Sequence, residues 1–316
     1  MATNKLNASY TLKVDQIFEK KGWEMEPEKD LKISLYNKYI DRLRRIPDDT
    51  RNLFLELTER FDRIELKEIT SLFFDAYENI DSKILNDAKK IYFLPLVQPE
   101  ISSNSKSNGK NNLVKAWFWI KNIFSNNSVD RPKNKSGENI LAIVENAEYR
   151  GLNNSSKFIF PQSFSKFKSV FNKKTDLLIL VDDFVGTGDT ADDVIQHFFK
   201  SSKFNSDNTI ILSLVSLKQG IESIFKKRNV KVYQAAIKER AISDFYDTKK
   251  EIEENISKVK QMEIELKCEP ELSLGYKESQ ALISIMNKSP NNTLPVFWHE
   301  TKNIPAPFPR RKIYNK

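Results

Sequence analysis

The chain has 316 residues, of which 39% are hydrophobic and 30% charged, with a net charge of +8. Its 21 phenylalanines and 10 tyrosines supply enough burial for a sizeable core, which excludes wholesale disorder. A single cysteine, Cys268, excludes an internal disulfide and a cysteine-built zinc site, and two histidines, His197 and His299, are too few for a histidine metal cage. The positive balance favours anionic partners: phosphates, nucleotides or nucleic acid. The opening residues lack the apolar stretch of a secretory signal. No apolar run approaches the roughly 20 residues of a membrane helix, so the expected location is the cytoplasm, with no membrane contact.

Residues 1–86 read as helical. Leu31, Leu35, Tyr39 and Leu43 fall four apart on one face, and Pro47 stops that helix. Asp48 and Asp49 can cap a second helix carrying Leu53, Leu57 and Phe61; a third carries Ile69, Leu72, Phe73 and Ala76. No strand-like alternation and no chemical motif occurs here. The pattern changes at Lys89. Residues 90–97 form an apolar run that predicts a buried strand, followed by a Ser/Asn/Gly/Lys loop over 98–112. An aromatic helix is expected over 113–124 and a second polar loop over 125–137.

From there the expected elements alternate: strands at 140–144, 177–181, 209–215 and 230–235, helices at 191–200 and 220–228. Such alternation predicts an α/β fold with a doubly wound parallel sheet. Residues 247–267 predict a charged amphipathic helix with Ile252, Ile256, Val259 and Met262 on one stripe, packed on the core or forming part of a lid. Pro290, Asn291, Asn292 and Thr293 are turn-forming, and 294–298 is apolar enough for a strand. The tail from 304 reads as extended and basic, with Arg310, Arg311 and Lys312. The expected organisation is a helical region over 1–86 that contacts a partner, and an α/β domain over 87–316 with C-terminal lid or hood elements.

The chemistry concentrates after the strand at 177–181. Asp182 and Asp183 follow it at once, then Phe184 and Val185, then Gly186, Thr187, Gly188, Asp189 and Thr190, then a helix. A glycine-rich turn at a helix N-terminus exposes backbone N–H groups to an anion, and the helix dipole favours negative charge there. The hydroxyls of Thr187 and Thr190 add donors. Two adjacent carboxylates would repel an isolated phosphate, but each can accept hydrogen bonds from a diol. A ribose 5-phosphate carries both groups. A strand-to-helix turn with ordinary capping needs neither both acids nor both glycines. A Walker A loop is excluded because Gly-Lys-Ser/Thr is missing.

This run resembles the phosphoribosyl-diphosphate (PRPP) signature of the type I phosphoribosyltransferases: apolar residues, two acids, two apolar residues, then a small-Thr-Gly-x-Thr loop. The resemblance implies that Asp182 and Asp183 hold the ribose hydroxyls. Gly186, Thr187, Gly188, Asp189 (by its backbone) and Thr190 would hold the 5-phosphate. It also implies Mg²⁺, carried mainly by the ligand's own oxygens, with Asp182 and Asp183 as the protein groups closest in kind. In the 6-oxopurine enzymes the first loop residue is an aspartate; here it is Gly186, which argues against hypoxanthine or guanine as acceptor. Family members bind the diphosphate with a loop after the first core strand. The candidate here is Ser103, Lys106, Ser107, Gly109 and Lys110, and a merely disordered polar loop is the competing reading.

Residues 275–298 are similar to the C-terminal part of phosphoribosyltransferase-like proteins of bacterial conflict systems, anti-phage effectors that in some loci stand beside retron reverse transcriptases. Asn292 and Trp298 could face a base there, one by hydrogen bonds and one by stacking; a turn and buried segment that merely close the fold is the equal alternative. With no titratable group in the glycine loop, Glu278 or Tyr276 is the expected acid or base. Two functions follow. One is a phosphoribosyltransferase or nucleotide N-glycosidase acting at ribose C1 in anti-phage defence. The other is a non-catalytic module that senses a nucleotide and acts through a partner complex. The resemblance implies as partners PRPP or a nucleotide, a defence-system protein or a reverse transcriptase–nucleic acid complex, and a second copy of the chain in a homo-oligomer.

Overall fold

A computed structural model describes residues 6–26, 33–96, 136–147, 150–161 and 164–310. In chain order the helices and strands are α1 (Ala8–Lys21), α2 (Leu35–Arg45), α3 (Arg51–Glu59), β1 (Asp62–Ile64), α4 (Leu66–Glu78), α5 (Ser82–Asp87), β2 (Lys90–Pro95), α6 (Ser136–Ala147), β3 (Phe158–Ile159), α7 (Phe164–Val170), β4 (Asp176–Val185), α8 (Asp189–Phe199), β5 (Thr209–Leu217), α9 (Lys218–Arg228), β6 (Val232–Lys238), α10 (Lys249–Glu265), β7 (Ile283–Ile285) and α11 (Pro295–Trp298). They form two compact units. One joins Met1–Lys67 with Glu239–Lys316; the other is Glu68–Lys238.

The Glu68–Lys238 unit is built on a five-stranded, wholly parallel sheet in the order β3-β2-β4-β5-β6. The central strands are continuous apolar runs, as a parallel sheet covered on both faces requires. Leu178, Leu180, Tyr92 and Leu94 pack with α7, α8 and α9 through Phe167, Phe171, Val194, Ile195, Phe198 and Ile224. Side chains of opposite parity face the other way. There Phe93 meets Phe158 at 4.7 Å, and Phe158 meets Tyr77 of α4 at 5.7 Å. The chain-order permutation reverses between β2 and β4, and in open α/β sheets the crevice at such a reversal is where ligands bind. The α/β, doubly wound expectation is what the molecule shows.

The other unit has its own core. Phe18, Tyr39, Leu43, Phe54, Leu57 and Phe61 pack with Val259, Met262, Leu294, Phe297 and Phe308. Its helices have clear stops and starts. Asn7 and Ser34 cap α1 and α2 by accepting from Ser9 N–H and Asn37 N–H, Gly22 ends α1 at φ +62°, and Thr248 with Glu251 forms a capping box on α10. Arg42 is fully buried and donates through Nη2 to the carbonyls of His299 (2.8 Å) and Pro305 (2.9 Å). The sequence break at Lys89 is therefore not where this division falls. The apolar faces of α1, α2 and α3 are covered by C-terminal segments, so residues 1–67 and 239–316 fold around one core.

Several elements differ from the sequence expectation. Residues 140–144, expected as a strand, lie in helix α6, where Ile140 and Val144 bury one face at i, i+4 spacing. Residues 294–298, expected as a strand, contain helix α11, with Pro295 in its first turn. Strand β1 sits inside the region expected to be all helical and pairs in parallel with β7. Helix α10 covers its own core with Val259 and Met262. The expected helix over 113–124 lies outside the described residues.

Candidate functional site

Strand β4 runs further than its apolar stretch, through Asp182 and Asp183 to Val185. Both acids are half-buried, and the Asp183 N–H donates to Asp182 Oδ1 at 2.9 Å. Beyond the strand, Gly186 and Gly188 are buried and Thr187 is half-buried. Gly188 takes φ +82° and stands at the N-cap of α8 with no side-chain cap on the helix. The N-terminus of α8 thus carries no capping side chain and presents the positive end of the helix dipole. Asp189 turns its carboxylate back: Oδ2 accepts from the Thr187 hydroxyl at 2.9 Å, and Oδ1 is 3.8 Å from Lys227 Nζ. Only the backbone of Asp189 is therefore presented as a donor. Thr190 is exposed.

Gly220, in the first turn of α9, supports this loop, and sequence reading missed it. A Cβ on Gly220 would stand 2.2 Å from the Gly186 carbonyl oxygen. In return, a Cβ on Gly188 would meet the Gly220 carbonyl oxygen at 3.0 Å. The loop rests backbone against backbone on α9. The peptide after Gly186 is trans, so with its C=O directed at Gly220 its N–H, that of Thr187, points the opposite way. Gly220→Ala tests this support. In a helix interior alanine is favoured by about 1 kcal/mol, so simple propensity raises stability. The expected outcome is an unraised melting temperature and roughly tenfold weaker binding of a ribose 5-phosphate ligand, by calorimetry, as about 1.4 kcal/mol of loop distortion gives. A more stable variant with full affinity contradicts the support.

Tyr276, Glu278, Asn292 and Trp298 belong to the other unit. Glu278 is exposed, and Leu274, Lys277, Glu278 and Gln280 all adopt left-handed φ between +49° and +59°. Such a run is costly for residues with side chains. Gln280 holds it: its Oε1 accepts from the Ile242 and Ser243 N–H groups (3.1 and 2.9 Å), and its Nε2 donates to Ser243 Oγ (2.8 Å). Gly275 is required at its place, since a Cβ there would lie 2.2 Å from the Asn292 carbonyl oxygen. Asn292 and Trp298 are buried, and the side-chain nitrogen of each is engaged internally. Asn292 Nδ2 donates to Ser279 Oγ at 3.1 Å, and Trp298 Nε1 donates to the Thr293 carbonyl at 2.7 Å. Arg310 lies 5.1 Å from the Trp298 ring. The described contacts of both residues serve the closure of this unit.

Ser103, Lys106, Ser107, Gly109 and Lys110 lie outside the described residues. The strand that precedes them ends beside the acids: the Leu96 N–H donates to the Val181 carbonyl at 2.7 Å. His197 is half-buried, and burial followed by the charges of Lys200 and Lys168 holds it below the usual imidazole range. Among the described residues no group of three His, Cys, Asp or Glu could hold a metal ion. No described helix is long and apolar enough to cross a membrane.

The family model PRTase-CE matches residues 46–310, which takes in the whole parallel sheet, the glycine loop and the strained C-terminal segment. Among curated proteins none matches the chain. With the match spanning most of its length, the chain belongs to the phosphoribosyltransferase-like PRTase-CE family.

Proposed function

We propose that the protein binds PRPP, or a nucleotide built on ribose 5-phosphate, together with Mg²⁺, and makes or breaks the bond at ribose C1. The observation that carries this is one place in the fold: the reversal beside β4, where Asp182 and Asp183 near the strand's end are followed by the glycine turn and a helix N-terminus with no side-chain cap. The backbone N–H groups of residues 187–190 receive the 5-phosphate, and the two carboxylates accept from the 2- and 3-hydroxyls. These residues would suit a magnesium-bound ligand, because two half-buried carboxylates are oxygen donors of the kind Mg²⁺ and its waters take. When bound, Mg²⁺ would neutralise charge on the departing diphosphate. The C1–O bond to diphosphate breaks with its electron pair leaving on oxygen, and the acceptor supplies the pair for the new bond. The chain's task is to orient the sugar and stabilise separating charge.

Gly186 offers no titratable group to a purine N7, so hypoxanthine and guanine are not expected acceptors. The strained run at Lys277–Glu278 supports Glu278, or its neighbour Tyr276, as the proton-handling group. Similarity to conflict-system proteins supports a role as an anti-phage effector, with a retron-type complex as partner. Protein, PRPP, Mg²⁺ and a panel of bases, assayed for diphosphate, test the enzyme reading. Base-dependent diphosphate release supports it; saturable binding with no turnover points to the sensing module; rapid formation of inosine or guanosine monophosphate contradicts the acceptor assignment. A Glu278→Gln variant with full turnover removes Glu278 from the reaction.

A further inference from the structure

The parallel sheet of the Glu68–Lys238 unit ends on β6, which among the described strands pairs with β5 alone. That pairing keeps one offset from Val232, opposite Ile211, to Lys238, opposite Leu217. The Ile211 N–H donates to the Lys231 carbonyl at 2.9 Å. In a parallel ladder an edge strand turns the backbone groups of every second residue to its neighbour. Lys231, Tyr233, Ala235 and Ile237 therefore face β5, while Val232, Gln234, Ala236 and Lys238 turn their N–H and C=O groups outward. Asn79 Nδ2 marks the outward side, donating to the Gln234 carbonyl at 2.9 Å. A carbonyl so engaged keeps a second lone pair.

Sheet edges are ordinarily blunted by a mid-strand charge, a proline or a bulge. Residues 232–237 carry no charge and no proline, and their even register with β5 leaves no bulge. Ile237 leaves 54% of its surface in solvent. The charges stand at the two ends, Lys231 just before the strand and Glu239 just after it, both exposed. This run matches itself. Laid antiparallel on a second copy, about a two-fold axis at Ala235, outward residues meet outward residues: Val232 faces Lys238 and Gln234 faces Ala236. Each such pair exchanges two backbone hydrogen bonds and the axis repeats each pair, giving about eight bonds. Tyr233 then faces Ile237, an aromatic–β-branched pair, and Lys231 faces Glu239, a pair of opposite charge. The axis falls on alanine, where the strands come closest, about 4.5 Å between Cα atoms. Moving it to Gln234 or Ala236 sets Lys231 against Ile237 or Ala241 and loses both matches.

We propose that β6 is a dimer interface: two copies of the chain join edge to edge, antiparallel about Ala235, into one continuous sheet. A two-fold contact needs a surface complementary to itself, and this edge is one. The strand lies in one unit, and its pairing is independent of what the glycine loop binds. The test is sedimentation velocity of the full chain over a concentration series, beside thermal melts. Expected is a reversible dimer, weakened at least about tenfold by Ile237→Lys, which sets a charge against Tyr233. A similar loss is expected from Ala236→Pro, which removes an outward N–H and spares the bonds to β5. Lys231→Glu is expected to weaken the dimer several-fold, and Lys231→Glu/Glu239→Lys to restore it. A control, Ile264→Lys on α10, alters a residue 74% exposed and is expected to leave the dimer unchanged. Mild oxidation in a Cys268→Ser background reads the register. Ala235→Cys is expected to give a disulfide-linked dimer, and Gln234→Cys, about 7–8 Å from its own copy, is not. A chain monomeric at every concentration, a dimer indifferent to both Ile237→Lys and Ala236→Pro, an equal loss in the control, or linkage at Gln234→Cys as ready as at Ala235→Cys overturns the proposal.

Discussion

Replacing Asp182 and Asp183 together by asparagine is expected to abolish measurable binding of ribose 5-phosphate ligands while leaving the melting temperature within a degree or two. Each carboxylate accepting from a sugar hydroxyl makes a charge-assisted hydrogen bond of about 1.5–3 kcal/mol. Losing two costs at least about 3 kcal/mol, or more than a hundredfold in affinity. Asparagine keeps shape and an acceptor oxygen, so the bond from the Asp183 N–H to the side chain at 182 survives and β4 stays intact. Calorimetric titration with PRPP and Mg²⁺, beside a thermal melt, reads both quantities. A variant that melts normally and binds normally removes the diol assignment.

The second large effect concerns the N-terminal helices. A chain beginning at Asp87 is expected not to fold as the full protein does. Phe54 stacks on Phe297 at 5.1 Å, Phe61 on Phe308 at 4.5 Å, and Trp23 meets Phe308 edge-on at 5.3 Å. Removing Phe18, Tyr39, Phe54 and Phe61 alone forfeits roughly 6–12 kcal/mol of burial at about 1.5–3 kcal/mol per side chain. That is comparable to the whole stability of a domain, about 5–15 kcal/mol. Arg42 would also leave the carbonyls of His299 and Pro305 without their donor. Near-ultraviolet circular dichroism of the truncated chain reads the outcome. A soluble product with full aromatic signal and a cooperative melt contradicts the shared core. Whether these helices also contact a partner is a separate proposal.

The sheet was legible in the sequence because β2, β4 and β5 are buried on both faces and so read as unbroken apolar runs. The glycine loop was legible because its spacing encodes a backbone shape. Short apolar stretches were not. Residues 140–144 satisfy strand and helix patterns alike, and only the partners of Ile140 and Val144 decide. Strands β1, β3 and β7 have two or three residues each, too few for alternation to register. Gly220 carries no local signal, since the demand for it is made by the carbonyl of Gly186, distant in sequence. The boundary near Lys89 marks a real change of composition, yet core membership is set by long-range contacts that composition does not carry.

The most direct measurement of the central claim is titration of the purified full chain with PRPP in the presence of Mg²⁺, run beside ribose 5-phosphate and a matched nucleoside lacking the 5-phosphate. Saturable binding of PRPP at one site, weaker binding of ribose 5-phosphate and none of the unphosphorylated nucleoside is the expected result. Binding of the nucleoside as tightly as its 5-phosphate, or no binding of any 5-phosphorylated ribose, would contradict the assignment of Asp182–Thr190 as a ribose 5-phosphate site.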